Sequence, residues 1–124
     1  MANNCANYIK VEGIDHDVEL FLSKFNNELD WLVDLHIDKE ENTISFTTKW
    51  SPEIERVKDM AAGGTLYLQY FYDELSSYIY GVAIIEPEGE CRIIELTKEE
   101  VKQYTDEQED NDYEGLDQLL KSKI

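Results

Sequence analysis

The chain has 124 residues, 42% of them apolar, and its 28 Asp and Glu against 11 Lys and Arg give a formal net charge of −17. One domain around a single core fits that length, and the apolar share excludes a disordered polymer. A body this acidic repels phosphate backbones and anionic membranes and attracts basic protein surfaces, so direct binding to nucleic acid or membrane is not expected.

Cys5 to Gly13 alternates, with Tyr8 and Lys10 opposite Ile9 and Val11, which predicts a half-buried strand ending at a glycine. Asp15 is the expected cap of a helix whose apolar positions Ile14, Val18, Phe21, Leu22 and Phe25 recur at helical spacing. Trp31 to Ile37 alternates again, placing Trp31, Val33, Leu35 and Ile37 on one side. A polar turn, Asp38 to Asn42, leads into a β-branched and aromatic strand, Thr43 to Trp50. Ser51-Pro52-Glu53 is a helix start with a serine cap and proline at the first position. Ile54, Val57, Met60 and Ala61 form its buried stripe, and Gly63-Gly64 its end.

Thr65 to Tyr72 and Ser77 to Glu86 are two strands around the turn Asp73 to Ser76. Pro87-Glu88-Gly89 is a further turn before a last strand, Glu90 to Leu96. Beyond Thr97 the chain is acidic, with a short helix expected near Thr97 to Tyr104 and an amphipathic turn at Leu116, Leu119 and Leu120. The order β-α-β-β-α-β followed by a hairpin predicts an α+β fold of the split β-α-β, ferredoxin-like kind. Its helices lie on one face of an antiparallel sheet. Residues 1–96 form the domain and 97–124 an acidic segment. The other face is left for a partner, an extra element or a second copy.

Asn3, Cys5 and Asn7 in the first strand, Phe46 to Pro52 at a strand-to-helix junction, and Glu74 followed by Gly81 in the aromatic hairpin carry a resemblance. Together they resemble the YubB-type ferredoxin-like domain proteins of plasmids and phages, over residues 3–96. That family supplies no catalytic residues to transfer. The resemblance implies an origin on mobile elements, where small acidic proteins act on host machinery.

No catalytic signature stands out. Cys5 and Cys91 are too few for a disulfide framework or a zinc site, and buried, reduced thiols are the expectation. Asp15-His16-Asp17 lies at a helix start, and His36 with Asp38 gives two ligands, short of a closed metal site. Asp110 to Gly115 matches the first half of an EF-hand loop, but its twelfth position is Lys121 instead of glutamate. No enzyme, metal or cofactor is therefore expected. No apolar run reaches the length of a membrane span, and Met1 to Cys5 lacks the features of a signal peptide, so a cytoplasmic protein is expected.

The carboxylates fall into two groups that can face basic side chains. Glu86, Glu88, Glu90 and Glu95 form one row, extended by Glu99 and Glu100. Asp106, Glu107, Glu109, Asp110, Asp112 and Glu114 form the other. Tyr72, Tyr78 and Tyr80 supply apolar anchors beside them. The expected function is non-enzymatic binding and inhibition of a basic host protein, itself nucleic-acid-binding, by mimicry of phosphates. Anti-CRISPR or anti-restriction activity is its most specific form. The alternative is a self-associating module, a homodimer through the sheet face or an edge strand.

Overall fold

A computed structural model describes residues 4–27, 30–61, 65–87, 90–105 and 112–124. The elements are β1 (Asn4–Glu12), α1 (Asp15–Phe25), β2 (Val33–Asp38), β3 (Thr43–Lys49), α2 (Ile54–Ala61), β4 (Tyr67–Glu74), β5 (Ile79–Ile85), β6 (Cys91–Glu95), α3 (Lys98–Lys102) and α4 (Tyr113–Ser122), with a 3-10 turn at Leu75–Ser77. The strands form one sheet in the order β2-β3-β1-β4-β5-β6, every neighbouring pair antiparallel. The first four strands have the order of a split β-α-β unit, with β5 and β6 added beyond β4.

β1 alternates between exposed and buried along its whole length, as its sequence predicts. Cys5, Ile9 and Val11 meet Val18, Phe21, Leu22 and Phe25 of α1 and Val57 of α2 in the main core. Rings cross that core in contact, Phe25 to Phe46 at 5.5 Å between centroids and Phe46 to Tyr70 at 6.1 Å. Asn7 is the polar member of the same strand face. Its amide donates to Cys5 O, Phe46 O and Thr48 Oγ1, and its Oδ1 accepts from the Tyr70 hydroxyl. Thr48 in turn donates to Ser51 O, and Glu53 N donates to Tyr70 Oη, so one buried network ties β1, β3, β4 and the approach to α2.

α1 and α2 lie together on one face of the sheet. The opposite face is not open over β4 and β5. Val82 and Ile84 of β5 form a second core with Leu96, Val101, Leu116 and Leu120, and half-buried Tyr67, Phe71, Tyr78 and Tyr80 pack against it. The extra element anticipated for this face is thus α3 and α4, which belong to the domain's packing. α3 is started by a capping box in which Thr97 Oγ1 accepts from Glu100 N and Glu100 Oε1 accepts from Thr97 N.

Several local expectations are corrected. Asp15 does not cap α1; Ile14 occupies that position with no side-chain bond, and Asp17 accepts from both Thr65 N and Thr65 Oγ1. α2 begins at Ile54, because the Ser51 carbonyl is bound to Thr48 and Trp50 turns the chain with φ 68°. Asp73 and Glu74 continue β4, and the reversal falls at Leu75–Ser77 with Tyr78 left-handed at φ 59°. Val33 does not share a side with Leu35 and Ile37. Asp34 at φ 55° shifts the register between Val33 and His36, and Val33 is exposed. The glycine end at Gly63-Gly64 lies outside the described residues.

Candidate protein-binding surface

The aromatic hairpin is built by β4 and β5, whose register sets Tyr72 opposite Gly81 and Asp73 opposite Tyr80. Tyr72 points into the main core, is 3% exposed, and donates its hydroxyl to Glu95 Oε1 at 2.9 Å. Burial, and then the adjacent Glu95, raise its pKa. Tyr80 is half-buried on the other face, and burial pushes its pKa up to about 12, aided by Asp117 and Asp73. Tyr78 is half-buried, with Lys98 Nζ 5.6 Å and Lys102 Nζ 5.2 Å from its ring centre. The three tyrosines expected as anchors for a partner are therefore used inside the domain. Tyr72 belongs to the main core, and Tyr78 and Tyr80 pack against the second one. The sequence shows six hairpin aromatics without showing what covers them.

The acidic rows resolve into separate places. Glu86 and Glu90 are exposed and face each other at the start of the β5–β6 pair, where Glu86 N donates to Glu90 O at 2.9 Å. Glu95 lies at the far end of β6, about 17 Å away at strand rise. Glu99 is exposed, but Glu100 is committed to its capping box and to Lys123 Nζ at 2.8 Å, which hold its carboxyl below the usual range. Asp112 caps α4 by accepting from Gly115 N at 2.9 Å, and Glu114 is exposed in the same first turn. Lys121, the twelfth position of the loop pattern, lies within α4 and pairs with Asp117 at 2.9 Å. Glu88, Asp106, Glu107, Glu109 and Asp110 lie outside the described residues.

The cations are largely occupied within the fold. Lys10 and Arg56 stand over the rings of Phe71 and Trp31, and Lys24 donates to Met60 O. Among the described residues three carboxylates, Glu53, Glu100 and Asp117, have a Lys or Arg within ion-pair distance. The remaining described acids have no cation within that distance, and the net charge of −17 makes the long-range field negative.

Two neighbouring carboxyls on β4 are shifted in opposite directions. Burial, and then the charge of Glu74, push the Asp73 carboxyl up to about 6. Burial also acts on Glu74, but the hydroxyls and amides of Ser76 and Ser77 outweigh it and hold the carboxyl below its ordinary value. Cys5 is buried, and its thiol is pushed up to about 11 by that burial. Among the described residues no group of three or more His, Cys, Asp and Glu could hold a metal ion. No described helix is long and apolar enough to cross a membrane.

A groove of about 480 Å³ between α1 and the β2–β3 turn is lined by Asp15, Glu19, Leu22, Lys39 and Asn42 among others, a place the sequence did not suggest. A second recess, about 440 Å³, opens at the start of β6 among Ile84, Glu86, Glu90, Cys91 and Arg92. Its two carboxylates are ones the sequence did single out.

The architecture is that of a ferredoxin-like α+β domain. The family model described as the ferredoxin-like domain in Api92-like protein matches residues 31–116. The chain belongs to that family. No curated protein and no solved structure matches it.

Proposed function

We propose that this protein is a non-enzymatic acidic binder, encoded by a phage or plasmid, that occludes a basic host protein. The observation that supports the reading is the excess of acids: a net charge of −17, with three carboxylates of the described residues paired to a cation. Such a field speeds encounter with a basic partner and selects against acidic ones. A protein that binds nucleic acid is the partner class whose surface best matches it, and a component of CRISPR or restriction machinery is the most specific form.

Engagement runs through exposed carboxylates such as Glu86, Glu90, Glu99 and Glu114, with Tyr72, Tyr78 and Tyr80 supporting the scaffold from within. The test is capture of partners from host lysate by the tagged protein, repeated after nuclease treatment and at low and high salt. A basic protein retained through nuclease and released by salt is the expected result. Retention that disappears with nuclease would mean that nucleic acid, and not a protein, made the link.

A further inference from the structure

The two edges of the sheet are unlike. The β2 edge is interrupted: Asp34 at φ 55° shifts its register, and Asp34 and His36 stand exposed along it. Such irregularity blocks the approach of another strand. The β6 edge has no such guard. Five consecutive residues, Cys91 to Glu95, pair with β5 in unbroken register.

At the two ends of that pair, Glu90 O accepts from Glu86 N and Leu96 N donates to Tyr80 O. Even-numbered residues thus turn their backbone groups toward β5, and by the alternation of an antiparallel ladder Cys91, Ile93 and Glu95 turn theirs outward. Among the described residues none bonds those outward N–H and C=O groups. Ile93, in the middle, is 55% exposed, a large apolar side chain on an otherwise charged rim.

We infer that β6 is a strand-addition site, taking an extended basic segment of a partner protein as a seventh strand. The inference rests on the basic-partner reading above and names its place. Backbone pairing supplies affinity without regard to side chains, and side chains flanking the edge supply selection. Here carboxylates flank the strand on both faces, with the exposed cation Arg92 between them on the face of Glu86 and Glu90. Glu86 and Glu90 line the recess at one end of β6, and Glu95 stands at the other end on the opposite face. Lys or Arg at each end of the incoming strand would meet them, with an apolar residue over Ile93. A second copy of this chain is a poor occupant, because it brings the same carboxylates and a further charge of −17.

The probe is a short synthetic peptide with paired lysines at each end and alternating valine and threonine between, compared with one carrying glutamates at its ends. Amide hydrogen exchange on the full chain is expected to slow at Cys91, Ile93 and Glu95 with the lysine peptide only. Ile93→Pro removes an outward donor and leaves the β5 ladder intact, so it should weaken binding about tenfold or more, whereas Ile93→Thr keeps the donor and most of the affinity. Glu90→Lys should weaken binding and flatten its salt dependence.

Binding that leaves β6 exchange unchanged and is indifferent to Ile93→Pro would overturn strand addition while leaving the basic-partner reading standing. Failure of the lysine peptide to bind at low salt would overturn strand addition as well, and lysate capture then decides the broader reading separately. A wild-type chain that is already dimeric, with these amides protected, would overturn the choice of occupant. The exchange experiment needs no variant, so a Pro substitution that fails to fold does not remove the test.

Discussion

The Tyr72 hydroxyl donates to Glu95 Oε1 at 2.9 Å across the bare backbone of Gly81, joining three neighbouring strands on the core face of the sheet. A Cβ on Gly81 would stand 2.6 Å from the Tyr72 hydroxyl, 2.8 Å from its ring carbon and 3.0 Å from Ile94 O. Gly81→Ala is therefore expected to displace the ring and destabilise the protein by about 1–3 kcal/mol, the ordinary range for overpacking. Tyr72→Phe, which loses the bond but keeps the ring, should cost about 1 kcal/mol. Urea denaturation of the two variants gives both values, and equal effects would mean that the hydrogen bond, and not the close approach, explains the glycine.

The Asn7 network makes a second prediction. Asn7→Ala removes the amide's contacts with Cys5 O, Phe46 O and Thr48 Oγ1 and leaves the Tyr70 hydroxyl proton without its buried acceptor, at an expected cost of about 2–3 kcal/mol. Tyr70→Phe leaves Asn7 Oδ1 and Glu53 N without that partner and should also destabilise, with a sub-additive double variant because both act on one network. Additive losses in denaturant would show that the two residues act independently.

Asp73 sets the pH dependence. Its folded pKa, about 6, lies above its ordinary value of 3.8, so the folded state binds a proton more tightly than the unfolded chain does. Its favourable contribution is complete below about 3.8 and is lost as pH rises through 6. Glu74 has the opposite sign: its lowered pKa gives stability that is present above 4.5 and lost as pH falls through the folded value. Stability should therefore peak between those limits, on the acid side of neutrality. Asp73→Asn should raise stability at pH 7.5 by about 2 kcal/mol and remove the decline between about pH 4 and 6. Thermal melts across that range check it, and an Asp73→Asn variant that is less stable at pH 7.5 would contradict it.

The C-terminal helices are expected to behave as part of the domain. Leu116 and Leu120 are fully buried against Val82 and Ile84. Leu116→Ala should cost about 2–5 kcal/mol, like other buried leucines, and unfolding should remain a single transition. A separate early transition would make α3 and α4 an appendage, the arrangement expected from a boundary at residue 96.

Much of the fold was legible because its signals are local. The strict alternation of β1 and the helical spacing of Val18, Phe21, Leu22 and Phe25 each describe one element and its core. The covering of the tyrosine face was not legible. Tyr78 and Tyr80 look like surface aromatics until Leu116 and Leu120, far along the chain, are known to pack over the same β-strands. The bulge at Asp34 was hidden for a similar reason, since a positive φ at an ordinary aspartate leaves no mark in the hydrophobic pattern. The residues that carried the family resemblance prove to have structural roles: Asn7 and Thr48 hold the buried network, and Gly81 lets Tyr72 reach Glu95. The site was legible only in its sign. Glu86 and Glu90 were marked by charge, while the open donors and acceptors of β6 depend on which strand lies at the edge.

The measurement that tests the central claim most directly is capture from host lysate with wild type and a Glu86→Lys, Glu90→Lys variant in parallel, after nuclease treatment and at low and high salt. The account predicts a basic protein that stays with the wild type at low salt, leaves at high salt, and is depleted with the variant. Recovery of the bait alone at both salts, or of a partner that ignores both salt and the charge reversal, would contradict it.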